Sequence, residues 1–251
     1  VRKENARKLE RSGAAVLPES AAEAAAGIGV LPNSPIGMVA AIAVAIFLAA
    51  HLLLMFGLST PDKIAFDEVH YVPAAKQLLD KGPGVPLLNP MHPPLAKELM
   101  AVSIKVLGDN PLGWRYPSAL FGALAIVAMY LCGLALFSSQ GAALAAAALT
   151  FLNQMVFVQS RIAMLDIYAL AFDLWGIAAF IFAYNRRRPA VAFGLAGLAF
   201  GLAGACKWSG FFPLGAAIAI VAIVKLLQGW RTQFAEPAAG DWYRPDRWPE
   251  F

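Results

Sequence analysis

Two adjacent carboxylates, Asp67 and Glu68, closely follow an apolar segment that is long enough to cross a lipid bilayer. That segment, residues 36–58, has no Asp, Glu, Lys or Arg, and as an α-helix it would span about 34 Å, more than the ~30 Å hydrocarbon core. A carboxylate in the water layer beside a membrane could act as a general base and accept a proton from a hydroxyl group. The alternative is that the acidic pair stabilises the first turn of a helix through the helix dipole.

Residues 92–97 combine an imidazole, two successive prolines and a lysine. The prolines restrict two φ angles, so this segment has a rigid local geometry. His92 and Lys97 could therefore present hydrogen-bond donors to a sugar or a phosphate group. Alternatively, Pro93 and Pro94 start a helix at the membrane interface and Lys97 extends its charge towards water. The residues fit both interpretations equally well.

Charged residues also stand at the ends of later apolar segments, where an isolated charge needs a partner or a function. Arg161 and Asp166 could form a salt bridge with each other, or the Arg161 guanidinium could bind phosphate oxygens, which its planar fork matches. Lys207, beside Trp208, could either extend towards the interface or bind phosphate. Asp173 lies in the middle of an apolar segment and is expected to pair within the helix bundle.

The composition limits the class of protein to which these residues belong. Hydrophobic residues make up 59% of the 251 residues and charged residues only 14%, which is more apolar surface than one water-soluble core could bury. The formal net charge is +4, but the basic residues stand mostly near the ends of apolar segments, so no nucleic-acid partner is predicted. Cys132 and Cys206 are expected to be small buried residues, and His51, His70 and His92 lack metal-ligand spacing.

The order of the apolar segments predicts an all-α fold, a polytopic membrane helical bundle. Six transmembrane helices are expected, at residues 36–58, 114–137, 141–158, 167–184, 190–206 and 211–227. Between the first two lies a loop, residues 59–113, in which amphipathic helices are predicted near residues 73–80 and 95–107. His51, in the first helix, is expected to be a packed residue.

Positively charged residues near helix ends predict the orientation in the membrane. The run Arg186-Arg187-Arg188 and the basic amino-terminal tail, residues 1–33, are separated by an even number of predicted crossings and would both lie in the cytoplasm. The loop 59–113 and the turns at residues 161–166 and 207–210 would then emerge on the other side. Any active site built from these residues is expected to face away from the cytoplasm.

Four ordered sequence elements carry a more specific signal together than any of them does alone. They are Phe66-Asp67-Glu68-Val69-His70-Tyr71; His92-Pro93-Pro94-Leu95-Ala96-Lys97, followed by Gly108-Asp109-Asn110 and Trp114-Arg115-Tyr116-Pro117; Ser160-Arg161-Ile162-Ala163-Met164-Leu165-Asp166; and Lys207-Trp208-Ser209-Gly210. Together they resemble the amino-terminal part of the protein O-mannosyltransferase family. The chain departs from the family pattern at Ala96, where Gly is expected.

The resemblance implies a glycosyltransferase of the GT-C type that takes mannose from polyprenyl-phosphate mannose. It would join the sugar, with inversion, to Ser or Thr hydroxyls of proteins outside the cytoplasm. Asp67 would be the catalytic base and Glu68 would assist the placement of acceptor or sugar. The implied substrate-binding residues are His92, Lys97, Arg161, Asp166, Lys207 and Trp208. Of these, Arg161 and Lys207 would stabilise the phosphate leaving group. No metal or other cofactor is expected.

The implied organisation is a cytoplasmic basic, Ala-rich tail at residues 1–33, a GT-C transmembrane domain at residues 34–228 and a polar tail at residues 229–251. The family has more membrane helices than the six predicted here, so the chain is expected to be an amino-terminal portion. Two alternatives remain: a related lipid-phosphate-sugar transferase with a lipid or glycan acceptor, and a membrane transporter. A transporter would place ionisable residues near the bilayer midplane, where only Asp173 is found.

Overall fold

The computed structural model describes residues 35–80, 86, 88–184 and 189–234, and this part of the chain is built from helices. The α-helices are α1 (Ile36–Met55), α2 (Glu68–Asp80), α3 (Leu95–Leu107), α4 (Pro111–Phe137), α5 (Gln140–Leu152), α6 (Gln154–Gln159), α7 (Asp166–Tyr184), α8 (Pro189–Cys206) and α9 (Phe212–Phe234). A short 3₁₀ helix, Trp208–Phe211, connects α8 to α9. The described residues contain no β-strand, and the predicted all-α fold is confirmed.

The described part of the chain has four segments that are long and apolar enough to cross a membrane. They are Ile36–Met55, Pro111–Phe137, Asp166–Tyr184 and Trp208–Leu227. Two shorter apolar helices, Gln140–Leu152 and Ala190–Cys206, occupy the positions of the other two predicted spans. Apolar helices thus occur at all six predicted positions, but in the described residues only four of the six are long enough to cross a membrane.

The prediction of one continuous helix over residues 141–158 is wrong, because the chain breaks at Asn153. α5 ends at Leu152, and the Asn153 side chain accepts hydrogen bonds from the backbone N–H groups of Met155 and Val156 at 3.0 and 3.2 Å. This is the geometry of a helix N-cap. It starts α6 as a separate, six-residue helix.

The 27-residue α4 lies at the centre of the bundle, in contact with α1, α3, α5 and α7. Small residues permit these close approaches. A Cβ atom on Gly133 would lie 2.7 Å from Cα of Ala143 in α5, and one on Gly122 would lie 2.2 Å from the Ser160 hydroxyl. α7 packs against both α4 and α8, so α4 and α7 form the frame on which the polar loops rest.

The loop between α1 and α4 contains the two predicted amphipathic helices. α3 covers the predicted residues and ends at Leu107, and it is followed by Gly108, whose φ of 91° suits glycine. α2 begins earlier than predicted, at Glu68, because Phe66 turns the chain with a φ of 52° and the backbone N–H of Ala65 donates to Glu68 Oε2 at 2.8 Å. Asp67 is therefore the last residue before a helix and Glu68 the first residue within it.

Some predicted features lie outside the described residues. They include the amino-terminal tail at residues 1–33 and the run Arg186-Arg187-Arg188 that predicts the orientation. α9 continues to Phe234, across the predicted boundary between residues 228 and 229, and residues 235–251 of the polar tail are not described.

Candidate active site

The predicted site residues come from separate parts of the chain and lie at one end of the helix bundle. This end is formed by the last turn of α1, the first turns of α2, α3 and α4, the turn before α7 and the turn after α8. Hydrogen bonds between residues far apart in the chain connect these segments, as the bonds from Arg161 to α1, from Ala163 to α2 and from Lys207 to α7 show.

The Glu68 carboxylate is completely buried and accepts four hydrogen bonds. Its Oε1 atom accepts from Arg115 Nε at 2.7 Å and from the backbone N–H of Ala163 at 2.9 Å. Its Oε2 atom accepts from Arg115 Nη2 at 2.9 Å and from the backbone N–H of Ala65 at 2.8 Å. An ionised carboxylate has about four acceptor positions, so none is left for a ligand. The observed contacts of the Glu68 side chain are thus with the protein itself, and its role in placing acceptor or sugar stays a prediction.

Arg115 is also completely buried, and all five of its N–H donors are used. Two bind Glu68, and the other three donate to the carbonyl oxygens of Leu58 at 3.2 Å, Pro61 at 2.7 Å and Lys63 at 2.8 Å. The guanidinium therefore fixes both the start of α2 and the stretch of chain that leads into it.

The sequence alone assigned no role to Arg115, which entered only as part of a motif shared with a family. The position of Arg115 does indicate a partner of opposite charge, because it is a charged residue in the first turns of the long apolar helix α4. The identity of that partner cannot be read from spacing. Glu68 lies 47 residues earlier, and the pair depends on how α2 packs beside α4.

Asp67 is partly exposed beside this buried network. Its backbone oxygen accepts hydrogen bonds from the N–H groups of His70 at 2.9 Å and Tyr71 at 3.2 Å, which are the first bonds of α2. Within the described part of the chain, no donor binds its side-chain carboxylate. Asp67 is therefore held through its backbone while its carboxylate stays available for a ligand or a proton.

Tyr71 lies one helical turn after Asp67, with its ring centroid 6.3 Å from that of His92. Burial raises the pKa of Tyr71, and the negative charges of Asp67 and Asp166 raise it further. The phenol is therefore neutral at physiological pH.

His92 lies beside Tyr71, in the turn before α3. Burial lowers the pKa of His92, and the positive charges of Lys207 and Lys97 lower it further, against the weaker opposing effects of Asp166 and Asp67. The imidazole is therefore neutral at pH 7 and offers one donor and one acceptor. Its buried Nδ1 atom has no hydrogen-bond partner among the described residues.

Lys97 supports the turn that carries His92. Its side chain is only 1% exposed, and Nζ donates to the carbonyl oxygens of Asn89 at 2.7 Å and His92 at 2.9 Å. Burial lowers the pKa of Lys97, against a smaller opposing effect of Glu98. The interfacial position considered for Lys97, with its charge in water, is therefore wrong. Its observed contacts are with the protein backbone.

Arg161 caps the carboxyl-terminal end of α1. Its Nη1 atom donates to the carbonyl oxygens of Leu54 at 2.9 Å and Phe56 at 2.7 Å, and its guanidinium lies 5.4 Å from the centroid of the Phe157 ring. Within the described residues no carboxylate lies within salt-bridge distance of Arg161, so the alternative of a salt bridge with Asp166 is wrong. Among the described residues, no carboxylate balances the positive charge of Arg161.

Asp166 pairs instead with Lys207, at 2.5 Å between Oδ1 and Nζ. This bond joins the first turn of α7 to the residue that follows α8. The neighbouring Trp208 donates its indole N–H to the carbonyl oxygen of Met91 at 2.9 Å and so ties the same turn to the segment that carries His92. Lys207 thus joins segments 41 residues apart in sequence, and Trp208 joins segments 117 residues apart.

Gly210→Ala is expected to displace the turn that contains Lys207 and Trp208. A Cβ atom on Gly210 would lie 2.4 Å from the backbone carbonyl carbon of Ala203, which is closer than packed atoms allow. We expect a loss of about 1–3 kcal/mol in unfolding free energy, measured as a lower Tm of the detergent-purified protein. Gly215→Ala is the matched control, because its Cβ would meet nothing within 4 Å. An equal Tm for both variants would contradict the prediction.

The remaining candidates lie away from this end or within the bundle. His51 stacks on Phe47, with centroids 5.5 Å apart, which confirms that it is a packed helix residue. Cys132 and Cys206 are buried and free, as predicted. Asp173 is buried in α7, but its Oδ1 atom has no hydrogen-bond partner among the described residues, so the expected pairing is not observed there.

The described residues contain no group of three or more His, Cys, Asp or Glu side chains that could hold a metal ion. The expectation that neither a metal nor another cofactor takes part stays a prediction.

Comparison with known proteins shows to which family the chain is similar. The family model described as dolichyl-phosphate-mannose-protein mannosyltransferase matches residues 44–237. The polyprenol-phosphate-mannose–protein mannosyltransferase of Corynebacterium glutamicum is 37% identical over 118 residues, which are 43% of this chain and 22% of that protein. The protein of the same name from Mycolicibacterium smegmatis strain MKD8 is 31% identical over 175 residues, which are 59% of this chain and 33% of that protein.

Among solved structures, the chain is similar to the S. cerevisiae protein O-mannosyltransferase Pmt1-Pmt2 complex bound to the sugar donor. The TM-score is 0.64 at 24% identity, and the match covers 85% of this chain and 30% of that chain. This likeness confirms the predicted fold, a polytopic membrane helical bundle of the GT-C type. The chain belongs to the dolichyl-phosphate-mannose-protein mannosyltransferase family. It spans between about a fifth and a third of the length of the curated relatives described above.

Proposed function

We propose that the protein transfers mannose from polyprenyl-phosphate mannose to Ser or Thr hydroxyl groups of proteins, with Asp67 as the general base. The arrangement of charged groups at one end of the bundle carries this proposal. The Asp67 carboxylate has no bound donor within the described residues, its backbone is fixed by a buried network, and Arg161 and Lys207 lie at the same end of the bundle. Membership of the family supports mannose as the sugar and a polyprenyl phosphate as its carrier.

The proposed reaction is a displacement in line at the anomeric carbon of mannose. Asp67 accepts the proton of the acceptor hydroxyl while the hydroxyl oxygen forms a bond to that carbon. The bond between the carbon and the phosphate oxygen breaks, and its electron pair leaves with the polyprenyl phosphate. The configuration is inverted because the acceptor oxygen enters opposite to the leaving group.

Arg161 and Lys207 are suited to stabilise the charge that develops on the departing phosphate. Among the described residues, the hydrogen-bond acceptors of Arg161 are neutral carbonyl oxygens, so a bound anion would compensate its charge. Lys207 already pairs with Asp166, but an ammonium group has three donors, and the remaining ones can bind phosphate oxygens. We therefore infer that the phosphate binds between the last turn of α1 and the turn after α8.

The neutral side chains of His92 and Tyr71 are suited to the uncharged hydroxyls of the sugar. A neutral imidazole can donate to or accept from a hydroxyl without adding a charge beside Asp67. Lys97 and Trp208 act through His92, since both bind backbone oxygens of the segment that carries it. In this proposal they are positioning residues.

We infer that this site faces away from the cytoplasm. Support comes from the distribution of positively charged residues in the sequence, which places the loop 59–113 outside. The structure brings that loop together with the turns before α7 and after α8 at one end of the bundle. All three polar segments therefore need to lie on the same side of the membrane.

The test uses sealed, right-side-out membrane vesicles from cells that express the protein together with any sequence that continues its reading frame. Vesicles loaded with radiolabelled polyprenyl-phosphate mannose and given a Ser/Thr peptide from outside are expected to produce mannosyl-peptide. A peptide with Ala at every Ser and Thr position is the control. Label recovered only in a lipid or glycan would support the alternative acceptor, and absence of any transfer from this donor would overturn the proposal.

A further inference from the structure

The hydroxyl group of Tyr71 has no hydrogen-bond partner in the described part of the chain. Tyr71 is only 5% exposed, and its hydroxyl belongs to the part of the side chain that still reaches the surface. The other two buried tyrosines of the described residues differ from it. Tyr130 donates to Gln140 Oε1 at 2.8 Å, and Tyr168 accepts from Ser118 Oγ at 3.4 Å. Since the hydroxyl of a buried tyrosine usually has a partner, the Tyr71 hydroxyl is open to a bound molecule.

Tyr71 lies one helical turn after the proposed base, Asp67. The backbone N–H of Tyr71 donates to the backbone oxygen of Asp67 at 3.2 Å. Residues four apart in a helix have Cβ atoms about 5–6 Å from each other. Helical side chains lean towards the amino-terminal end of the helix, which in α2 is the end next to Asp67. A molecule bound at the Asp67 carboxylate is therefore within reach of the Tyr71 hydroxyl.

The charges around Tyr71 favour an uncharged oxygen as the partner of its hydroxyl. Burial raises the pKa of Tyr71, and the negative charges of Asp67 and Asp166 raise it further, so the phenol keeps its proton and can donate it in a hydrogen bond. The same two negative charges disfavour an anionic phosphate beside the phenol. A hydroxyl group of the sugar or of the acceptor carries no charge and fits this position.

Of these hydroxyl groups, the one on C2 of the sugar suits a donor beside Asp67 best. The acceptor oxygen must give its proton to Asp67 and an electron pair to the anomeric carbon, and a hydrogen bond donated to that oxygen would oppose the attack. In the reacting geometry this oxygen lies about 2.6–3.2 Å from the carboxylate and about 3–3.5 Å from the anomeric carbon. C2 is bonded to the anomeric carbon, so its hydroxyl is the sugar hydroxyl closest to the reacting atoms.

We propose that the Tyr71 hydroxyl binds the C2 hydroxyl of the transferred sugar and that Tyr71 selects sugars that carry this group. The His92 ring, with its centroid 6.3 Å from that of Tyr71 and an interplanar angle of 61°, packs against the phenol and limits its rotation. The inference rests on the proposed function and adds to it the position of the sugar that the site recognises.

The test combines Tyr71→Phe, which keeps the ring and removes only the hydroxyl, with modified donors. Transfer to the Ser/Thr peptide is measured from polyprenyl phosphates that carry mannose, 2-deoxymannose or 4-deoxymannose. With the unmodified protein, loss of the C2 hydroxyl is expected to lower kcat/KM about tenfold, the effect of one lost hydrogen bond. Tyr71→Phe is expected to lower kcat/KM about tenfold with mannose and with 4-deoxymannose. With 2-deoxymannose it is expected to have no effect, because the bond is already absent.

Tyr130→Phe is the matched control. It removes the hydroxyl of a buried tyrosine in the second half of α4, away from the first turns of α4 that contribute to the site. Any change in kcat/KM is expected to be equal for the three donors, because the hydroxyl of Tyr130 binds Gln140. The Tm of both variants is measured alongside the rates.

The outcomes separate this inference from the proposed function. An equal loss with all three donors in Tyr71→Phe, or no loss with mannose, would overturn the inference while mannose transfer itself stands. A loss that disappears with 4-deoxymannose would overturn the assignment to C2. Equal kcat/KM values of the unmodified protein for mannose and 2-deoxymannose would overturn it without any variant. Absence of transfer from polyprenyl-phosphate mannose by the unmodified protein would overturn the proposed function and this inference together.

Discussion

Asp67→Asn is expected to reduce kcat for mannose transfer by about 10²–10⁴-fold, with little change in the KM for the donor. The substitution keeps the size and polarity of the side chain but removes its capacity to accept the proton of the acceptor hydroxyl. Within the described residues the carboxylate has no hydrogen-bond donor, so its replacement breaks no bond of the fold. The measurement compares initial rates with saturating peptide, alongside the Tm of each purified variant.

Asp62→Asn provides the matched control for this variant. Asp62 is an exposed carboxylate in the same loop, five residues before Asp67, and is expected to keep the unmodified rate and Tm. A rate for Asp67→Asn equal to that of the control would remove Asp67 as the base. A large fall in Tm would instead show that the side chain has a structural role.

Arg115→Met is expected to destabilise the protein by about 3–5 kcal/mol, the cost of leaving one member of a buried ion pair without its partner. Glu68 would keep a buried negative charge, and the carbonyl oxygens of Pro61 and Lys63 would lose their donor. The measurement is the unfolding free energy in detergent together with the transfer rate. Since the loop that ends in Asp67 would lose its anchor, kcat is expected to fall as well.

A double-mutant cycle measures the interaction energy between Glu68 and Arg115 apart from the other contacts of each residue. Glu68→Gln with Arg115→Met removes both charges, and the double variant is expected to be more stable than the sum of the two single effects predicts, because no unpaired charge remains. Lys105→Met, which removes an exposed cation on α3, is the control and is expected to change stability by less than about 0.5 kcal/mol. Additive single effects, or an unchanged Tm in Arg115→Met, would show that the pair is not the anchor.

Helix positions could be predicted from the sequence because the apolar segments are long and their ends are marked by charges, prolines and glycines. The start of α3 is an example, since Pro94 precedes it directly. The break at Asn153 could not be predicted in this way. Asn153 stands within an apolar stretch, and its side chain caps a new helix only because the chain separates there.

The sequence shows that charged residues stand at helix ends, but it does not identify their partners. Arg161 and Asp166 are close in sequence, but Asp166 pairs with Lys207, which is 41 residues away. Glu68 pairs with Arg115 across 47 residues. Partner choice depends on which helices meet, and this is decided by packing between small residues along α4 and α7, not by local spacing.

The four hydrogen bonds of Glu68 also set an order of assembly during synthesis. Its donors are contributed by its own loop, by α4 and by Ala163, which is 95 residues further along the chain. As the ribosome extends the chain, the Glu68 carboxylate lacks some of its hydrogen-bond donors until α4 has entered the membrane and the turn before α7 has been made. The loop that carries Asp67 therefore reaches its final form late, and an interruption of synthesis before Ala163 would leave a membrane-inserted chain without a formed site.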